Sequence, residues 1–317
     1  MSRPLEKVLH FNILRKIGET LKGGILVESP FEGPIEEERK GDPDKIDDDI
    51  NFSEDNICMC IESSLPNGKK NIRRDRFEGE MYFKYFIDGS LRTKYIGEYV
   101  YQNVSFPLLV SEISAAVIKL ERPGAPIKIK PHKLIKRLYF IFPHKESGII
   151  PDTICERLEE TAYELNEQNS YIRIEFLQKP EIKRDLRYSM AGKARDLMHK
   201  LEHELAESIK DELVGGKWLV MDGAIRKEIF LQLPNTIGLA KSFSTKPIFT
   251  GPFTTRPLTI AAYMKRLGEG ERSAVFKLQA KSSETDSVKR KVAFWYIRLR
   301  TYPPMEPLGG IVKVDYK

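Results

Sequence analysis

The apolar positions of this chain fall into short runs of two periods, one strand-like and one helical, which together predict a mixed α/β protein. Two of the runs end alike, at an aspartate followed by glycine: Tyr82-Phe83-Lys84-Tyr85-Phe86-Ile87-Asp88-Gly89-Ser90 and Lys217-Trp218-Leu219-Val220-Met221-Asp222-Gly223-Ala224-Ile225. Asp-Gly after an apolar run is a common turn signal, and each run reads as a buried strand that delivers a carboxylate to its end. Beyond Asp88, residues 95–101 alternate and residues 104–120 are long and apolar, with only Gln102-Asn103 between them. The pattern predicts an antiparallel meander of three strands opened by the Asp88 strand. Further strands are expected at 56–62, 138–142, 171–177, 236–242, 274–280, 291–300 and 310–315. Helices are expected at 5–21, 151–168 with Asp152 as N-cap, from 182 or 191 to 214, and 258–267. Residues 31–55 read as a loop, 121–134 as a Pro/Lys-rich linker, and 121–180 as an inserted α/β block.

The order is a strand with Asp, two further strands, a helix, then a second strand with Asp. That is the order of an RNase H-like core, which needs one more acid from the helix. At about 100° per residue, Leu197, Met198, Leu201, Leu205, Ile209 and Leu213 share one helical face, and Glu202 lies roughly 50° from its centre. Glu204 and Glu207 point away, while Glu212 points inward at the helix end. An acid at the edge of a buried stripe needs a partner, either a metal or a neighbour such as Arg195. Asp88, Glu202 and Asp222 together would form an oxygen-rich site for Mn²⁺ or Mg²⁺. Neighbouring carboxylates repel unless such a cation sits between them, and the cation would activate water for phosphodiester hydrolysis.

Composition is consistent with this chemistry. Of 317 residues, 41% are hydrophobic and 31% charged, and the mean hydropathy is -0.40, as expected of a soluble chain with a sizeable core. No apolar stretch is long enough to span a bilayer and the N-terminus lacks an apolar signal core, so no membrane partner is expected. Three cysteines, Cys58, Cys60 and Cys155, are too few and scattered for a disulfide framework or zinc site and fit a reducing, cytoplasmic setting. The net charge is +6 with pI near 8.9. Glu36-Glu37-Glu38 and Asp47-Asp48-Asp49 concentrate acid in one loop, and basic clusters follow at Lys69–Arg74, Lys128–Arg137 and Lys289-Arg290-Lys291. Such clusters suit a DNA backbone, or are simply solvated loops.

With Phe86-Ile87-Asp88-Gly89-Ser90, Val220-Met221-Asp222-Gly223 and Ile237-Gly238-Leu239-Ala240-Lys241-Ser242 in sequence order, the chain resembles the NurA-domain nucleases. The late strand Phe294–Leu299 and the run Gly310–Val314 extend the likeness, which covers roughly residues 81–317. The resemblance implies an RNase H-like mixed sheet flanked by helices, with the inserted block at about 121–180 and an N-terminal helical and loop extension over 1–80. It implies metal ligation by Asp88, Glu202 and Asp222, with Lys241 near the scissile phosphate. The implied activity is Mn²⁺- or Mg²⁺-dependent DNA cleavage, as a 5'-3' exonuclease, a single-strand endonuclease or both. By the same analogy the protein acts as a homodimer with a HerA-type hexameric ATPase in DNA-end processing, repair or phage defence, and the N-terminal part contributes to the ATPase contact. One departure stands out. The family has a histidine or further acid on a helix after its last strands, whereas none of this chain's five histidines lies beyond His203. Three explanations stay open: a truncated form, a residue supplied differently, or weak catalysis. Asp315 is a poor substitute.

Two other readings compete. His199-Lys200-Leu201-Glu202-His203 matches the H-x-x-E-H pattern of zinc metalloproteases. Both histidines, however, lie roughly 110–150° from the apolar centre, on the polar face, as a solvated pair. The other reading is an RNase H-like scaffold that binds DNA or an ATPase without cutting. No Gly-x-x-x-x-Gly-Lys-Ser/Thr loop is present, so ATP hydrolysis would belong to a partner.

Overall fold

The computed structural model describes residues 17–19, 25–28, 57–62, 64–72, 82–101, 104–121, 131–143, 150–168, 171–177, 186–225, 228–243, 248–250, 258–279, 291–300 and 308–317. The protein is mixed α/β. Of the expected N-terminal helix only 17–19 are described, and they are helical; the expected loop at 31–55 lies outside the described residues. The chain divides into two compact units, one drawn from 1–41, 89–115 and 134–202, the other from 42–88, 116–133 and 203–317.

In the first unit, β1 (Ile25–Glu28) pairs antiparallel with the distal part of β4 (Phe83–Tyr101). Strand β5 (Val104–Lys119) neighbours β4, and β6 (Lys133–Phe142) neighbours β5. Helix α1 (Asp152–Gln168) leads to β7 (Ile172–Phe176), which pairs parallel with β6 from Leu138↔Ile172 to Phe142↔Phe176. One core gathers Tyr99, Phe106, Leu108, Phe140, Phe142, Ile154 and Leu158 from these elements. The meander therefore differs from the expected one. Residues 83–101 form one continuous strand rather than two, and β6 takes the place beside β5. Asp88-Gly89 lies within the strand and is not a turn.

The second unit holds β2 (Ile57–Cys60), β3 (Lys69–Asn71), the proximal part of β4, β8 (Trp218–Asp222), β9 (Thr236–Ala240), β10 (Ile248–Thr250), β11 (Leu258–Thr259), β12 (Glu271–Ser273), β13 (Phe276–Gln279), β14 (Ala293–Arg298) and β15 (Ile311–Tyr316). Its strand order is β11-β10-β2-β13-β14-β15-β9-β8-β4. Strands β4, β8 and β9 run parallel, and β15 returns antiparallel to β9. Helix α2 (Leu186–Glu207), whose residues up to Glu202 belong to the first unit, precedes β8; it buries Leu197, Leu201 and Leu205 as the periodicity predicts, and also Met190 and Ala194, while Met198 is half-buried. The helix stops seven residues short of the expected 214. A 3-10 turn, Lys210–Leu213, carries the period onward and buries Leu213, then Gly215 and Gly216 at φ 79 and 81 lead into β8. The short α3 (Ile260–Met264) is capped by Thr259, whose hydroxyl accepts from the Ala262 N–H. Its Tyr263 and Met264 pack with Phe276, Phe294 and Tyr296 in a second core.

Candidate functional site

The parallel register of β4 and β8 decides where the two aspartates go. Ile87 lies opposite Met221, so the next residues, Asp88 and Asp222, stand side by side on adjacent strands. Ile87 and Met221 are buried while both aspartates are exposed, Asp222 at the end of a strand whose three preceding residues are all buried. Asp222 is the last residue of β8. Gly223 follows at φ 130, a backbone that favours glycine, and its N–H donates to the Leu239 carbonyl.

Strand β9 completes the cluster. Leu239 pairs with Asp222, and Lys241 leaves the end of β9 with its Nζ donating to Asp222 Oδ2 at 2.7 Å. The hydrogen bond to Asp222, then the charges of Asp222 and Asp88, raise the Lys241 ammonium above the usual lysine range. The ammonium therefore answers to both carboxylates. Its side chain is 74% exposed, so the ion pair is solvated, and a surface pair of this kind is worth little in stability. Two carboxylates on one sheet face offer the hard oxygen donors that Mg²⁺ and Mn²⁺ take. Among the described residues, no group of three or more His, Cys, Asp or Glu side chains is arranged to hold a metal ion.

Glu202 belongs to the first unit. It is buried at 6% exposure, as its place beside the apolar stripe suggested, whereas Glu204 and Glu207 are exposed. Its Oε2 accepts from His199 Nδ1 at 2.8 Å, one helical turn earlier. Its Oε1 lies against Gly89, where a Cβ would stand only 2.6 Å away. Gly89 is thus required by close approach of a carboxylate, not by a turn. The expected solvated histidine pair is not what forms. His199 binds Glu202, and the half-buried His203 ring packs edge-on against Phe230 with centroids 5.6 Å apart.

Three features escaped the sequence reading. Glu212 is a hub: His132 Nε2, Tyr85 Oη and Lys119 Nζ lie 2.9, 2.8 and 3.2 Å from its oxygens. These donors, His132 first, hold the carboxyl down at about 2. Asp315 is buried, accepts the Ile225 N–H at 3.0 Å and pairs with Lys313 at 2.8 Å, so its role is to brace β15. Lys69, from the first basic cluster, donates to Glu271 and to the Arg266 carbonyl. The only signal for Glu212 was its inward angle at the helix end.

No protein-family model matches the chain. A search of curated proteins finds no similar sequence either. No described helix is long and apolar enough to cross a membrane.

Proposed function

We propose that this protein is a divalent-cation-dependent DNA nuclease with an RNase H-like core, of the kind that NurA-domain nucleases represent. The observation that carries the reading is the register that sets Ile87 opposite Met221, and so brings Asp88 and Asp222 to neighbouring positions, with Lys241 bound to Asp222 and within reach of the Asp88 charge. The parallel run of β4, β8 and β9 supports the RNase H-like assignment. Asp88 and Asp222 would hold Mn²⁺ or Mg²⁺, and Glu202, from its place in the chain order, is the third acid of the proposal. The bound cation would supply Lewis acidity and a more acidic water. Lys241 serves two states. Without DNA it offsets the repulsion between the aspartates; with DNA it turns to the scissile phosphate and steadies its developing charge. A homodimer working with a HerA-type ATPase in end processing, repair or phage defence belongs to the same proposal.

The test is cleavage of linear single- and double-stranded DNA in Mn²⁺, with and without chelator. The reading expects cleavage that the chelator abolishes. DNA binding without cleavage would favour the non-cutting scaffold instead.

A further inference from the structure

The register that brings the aspartates to neighbouring positions also fixes what lies beside them. On β8, Trp218, Val220 and Asp222 share a face, since strand side chains alternate. Ile237 pairs with Val220 on one side and with Tyr316 on the other, so Tyr316 shares that face as well. Phe83 reaches it by another route. Tyr85 pairs with Leu219 and is fully buried on the opposite face, and in a regular strand Phe83, two residues earlier, would follow it there. A register shift between the two, with Lys84 as the extra residue, sets Phe83 opposite Trp218 instead. The three rings touch in a row. Phe83 stands edge-on to Trp218 with centroids 6.2 Å apart, and Trp218 leans on Tyr316 at 5.7 Å. Phe83 is 46% exposed and Tyr316 41%, with Trp218 half-buried between them. All three belong to the second unit, as do Asp88, Asp222 and Lys241.

Single exposed apolar side chains are ordinary on a protein surface, whereas a contiguous aromatic row marks a binding surface. Its neighbours say what suits it. Lys217 and the exposed Lys317, which also holds the Leu231 carbonyl, adjoin Trp218 and Tyr316 in the chain. Lys241 lies at the other end of the same face, beyond an apolar floor that includes Val220 and Ile237. Flat rings flanked by cations match a strand of nucleic acid, whose bases offer π-faces and whose phosphates are anionic. A base face is free to stack on a protein ring only where the strand is unpaired, so the match is to a single strand and not to a duplex. Trp218 and Asp222 are the two ends of β8, which sets them about 13 Å apart. That is about four nucleotides at the 3.4 Å spacing of a stacked strand.

We propose that Phe83, Trp218 and Tyr316 form a stacking platform for the bases of single-stranded DNA leading to Asp88 and Asp222. The choice of DNA rests on the nuclease reading above.

The experiment measures binding of fluorescently labelled oligo(dT), and of a duplex of the same length, at one salt concentration and in chelator so that no strand is cut. Wild type is compared with Phe83→Ala, Tyr316→Ala, Tyr316→Phe and Trp218→Leu, with melting temperature and oligomeric state recorded for each. Phe83→Ala and Tyr316→Ala should each weaken oligo(dT) binding about tenfold, with duplex binding changed less, and Tyr316→Phe should keep wild-type affinity. Trp218 and Trp295 are the chain's two tryptophans, so oligo(dT) should quench part of the wild-type emission and less of it in Trp218→Leu. If the alanine variants bind oligo(dT) like wild type while wild type cleaves DNA in Mn²⁺, the platform is overturned and the nuclease reading stands. Equal losses for oligo(dT) and duplex, or a fall in melting temperature alone, overturn the platform in the same way. So does a dimer that these variants turn into monomers with DNA binding unchanged, which would make the row a protein interface. If the variants lose oligo(dT) binding as expected but wild type does not cleave in Mn²⁺, the nuclease reading falls and the platform stands.

Discussion

Asp222 and Glu212 are acids of the same unit, each held by a lysine, and they differ in how many other groups hold them. Glu212 has three donors from three places in the chain, Tyr85, Lys119 and His132, and Tyr85 among them is fully buried. Its charge is met by three hydrogen-bond partners, and its proton is lost well below the normal glutamate range. Asp222 stands at an exposed strand end beside Asp88, and its hydrogen-bond partner is a long, mostly exposed lysine. A carboxylate already held by three donors has less to offer a ligand. One neutralised by a flexible ammonium can exchange that partner for a cation at small cost. Local chemistry, not residue type, separates a carboxylate held by several donors from one with a single exposed partner in the proposed site.

Five substitutions sharpen this contrast. Asp88→Asn or Asp222→Asn should lower Mn²⁺-dependent cleavage by about 10³-fold, because each removes a ligand charge while keeping the shape. Their circular dichroism should stay that of wild type. An Asn variant with near-normal cleavage would remove the aspartates from the chemistry. Next in size is Gly89→Ala, whose Cβ would stand 2.6 Å from Glu202 Oε1. It should cost about 1–3 kcal/mol in denaturant unfolding, since one side must shift. An unchanged midpoint would mean that the glutamate is not held there.

Glu212→Gln should lower stability by about 1–2 kcal/mol while leaving cleavage intact, the reverse of the aspartates. The pH dependence has a definite sign. The folded carboxyl lies near 2 and its ordinary value is 4.5. The contribution is therefore present above 4.5 and is lost as pH falls from there toward about 2. Acid unfolding of wild type and Glu212→Gln should converge through that window, and parallel curves would contradict the assignment. Smallest is Lys241→Ala, expected to slow cleavage about tenfold while changing DNA affinity less, because one phosphate contact among many is removed. Rate and affinity at one salt concentration decide it, and equal losses would move Lys241 out of the site.

The two Asp-Gly pairs also show how far the pattern could be read. At 222–223 the dipeptide is the strand end that its composition suggests, with Gly223 at positive φ. At 88–89 it is mid-strand, and glycine is present because Glu202 comes too close for a side chain. A local pattern cannot distinguish these cases, since the second depends on a helix far along the chain. Strands β9, β14 and β15 were legible as short apolar runs of strand length, and each buries most or half of its residues. Helix α2 was overextended because Ile209 and Leu213 keep the helical period through the 3-10 turn and stay buried. The angle of Glu202 was readable, and its burial follows from it. The His199 bond was not, because a wheel that ranks faces by apolarity does not register that i and i+3 side chains meet.

The most direct test of the contrast between Asp222 and Glu212 is Mn²⁺ binding to the DNA-free protein, followed by electron paramagnetic resonance. Wild type should bind Mn²⁺ saturably, Asp222→Asn should weaken that binding at least about tenfold, and Glu212→Gln should match wild type. Equal binding by wild type and Asp222→Asn, or an equal loss in Glu212→Gln, would contradict the account.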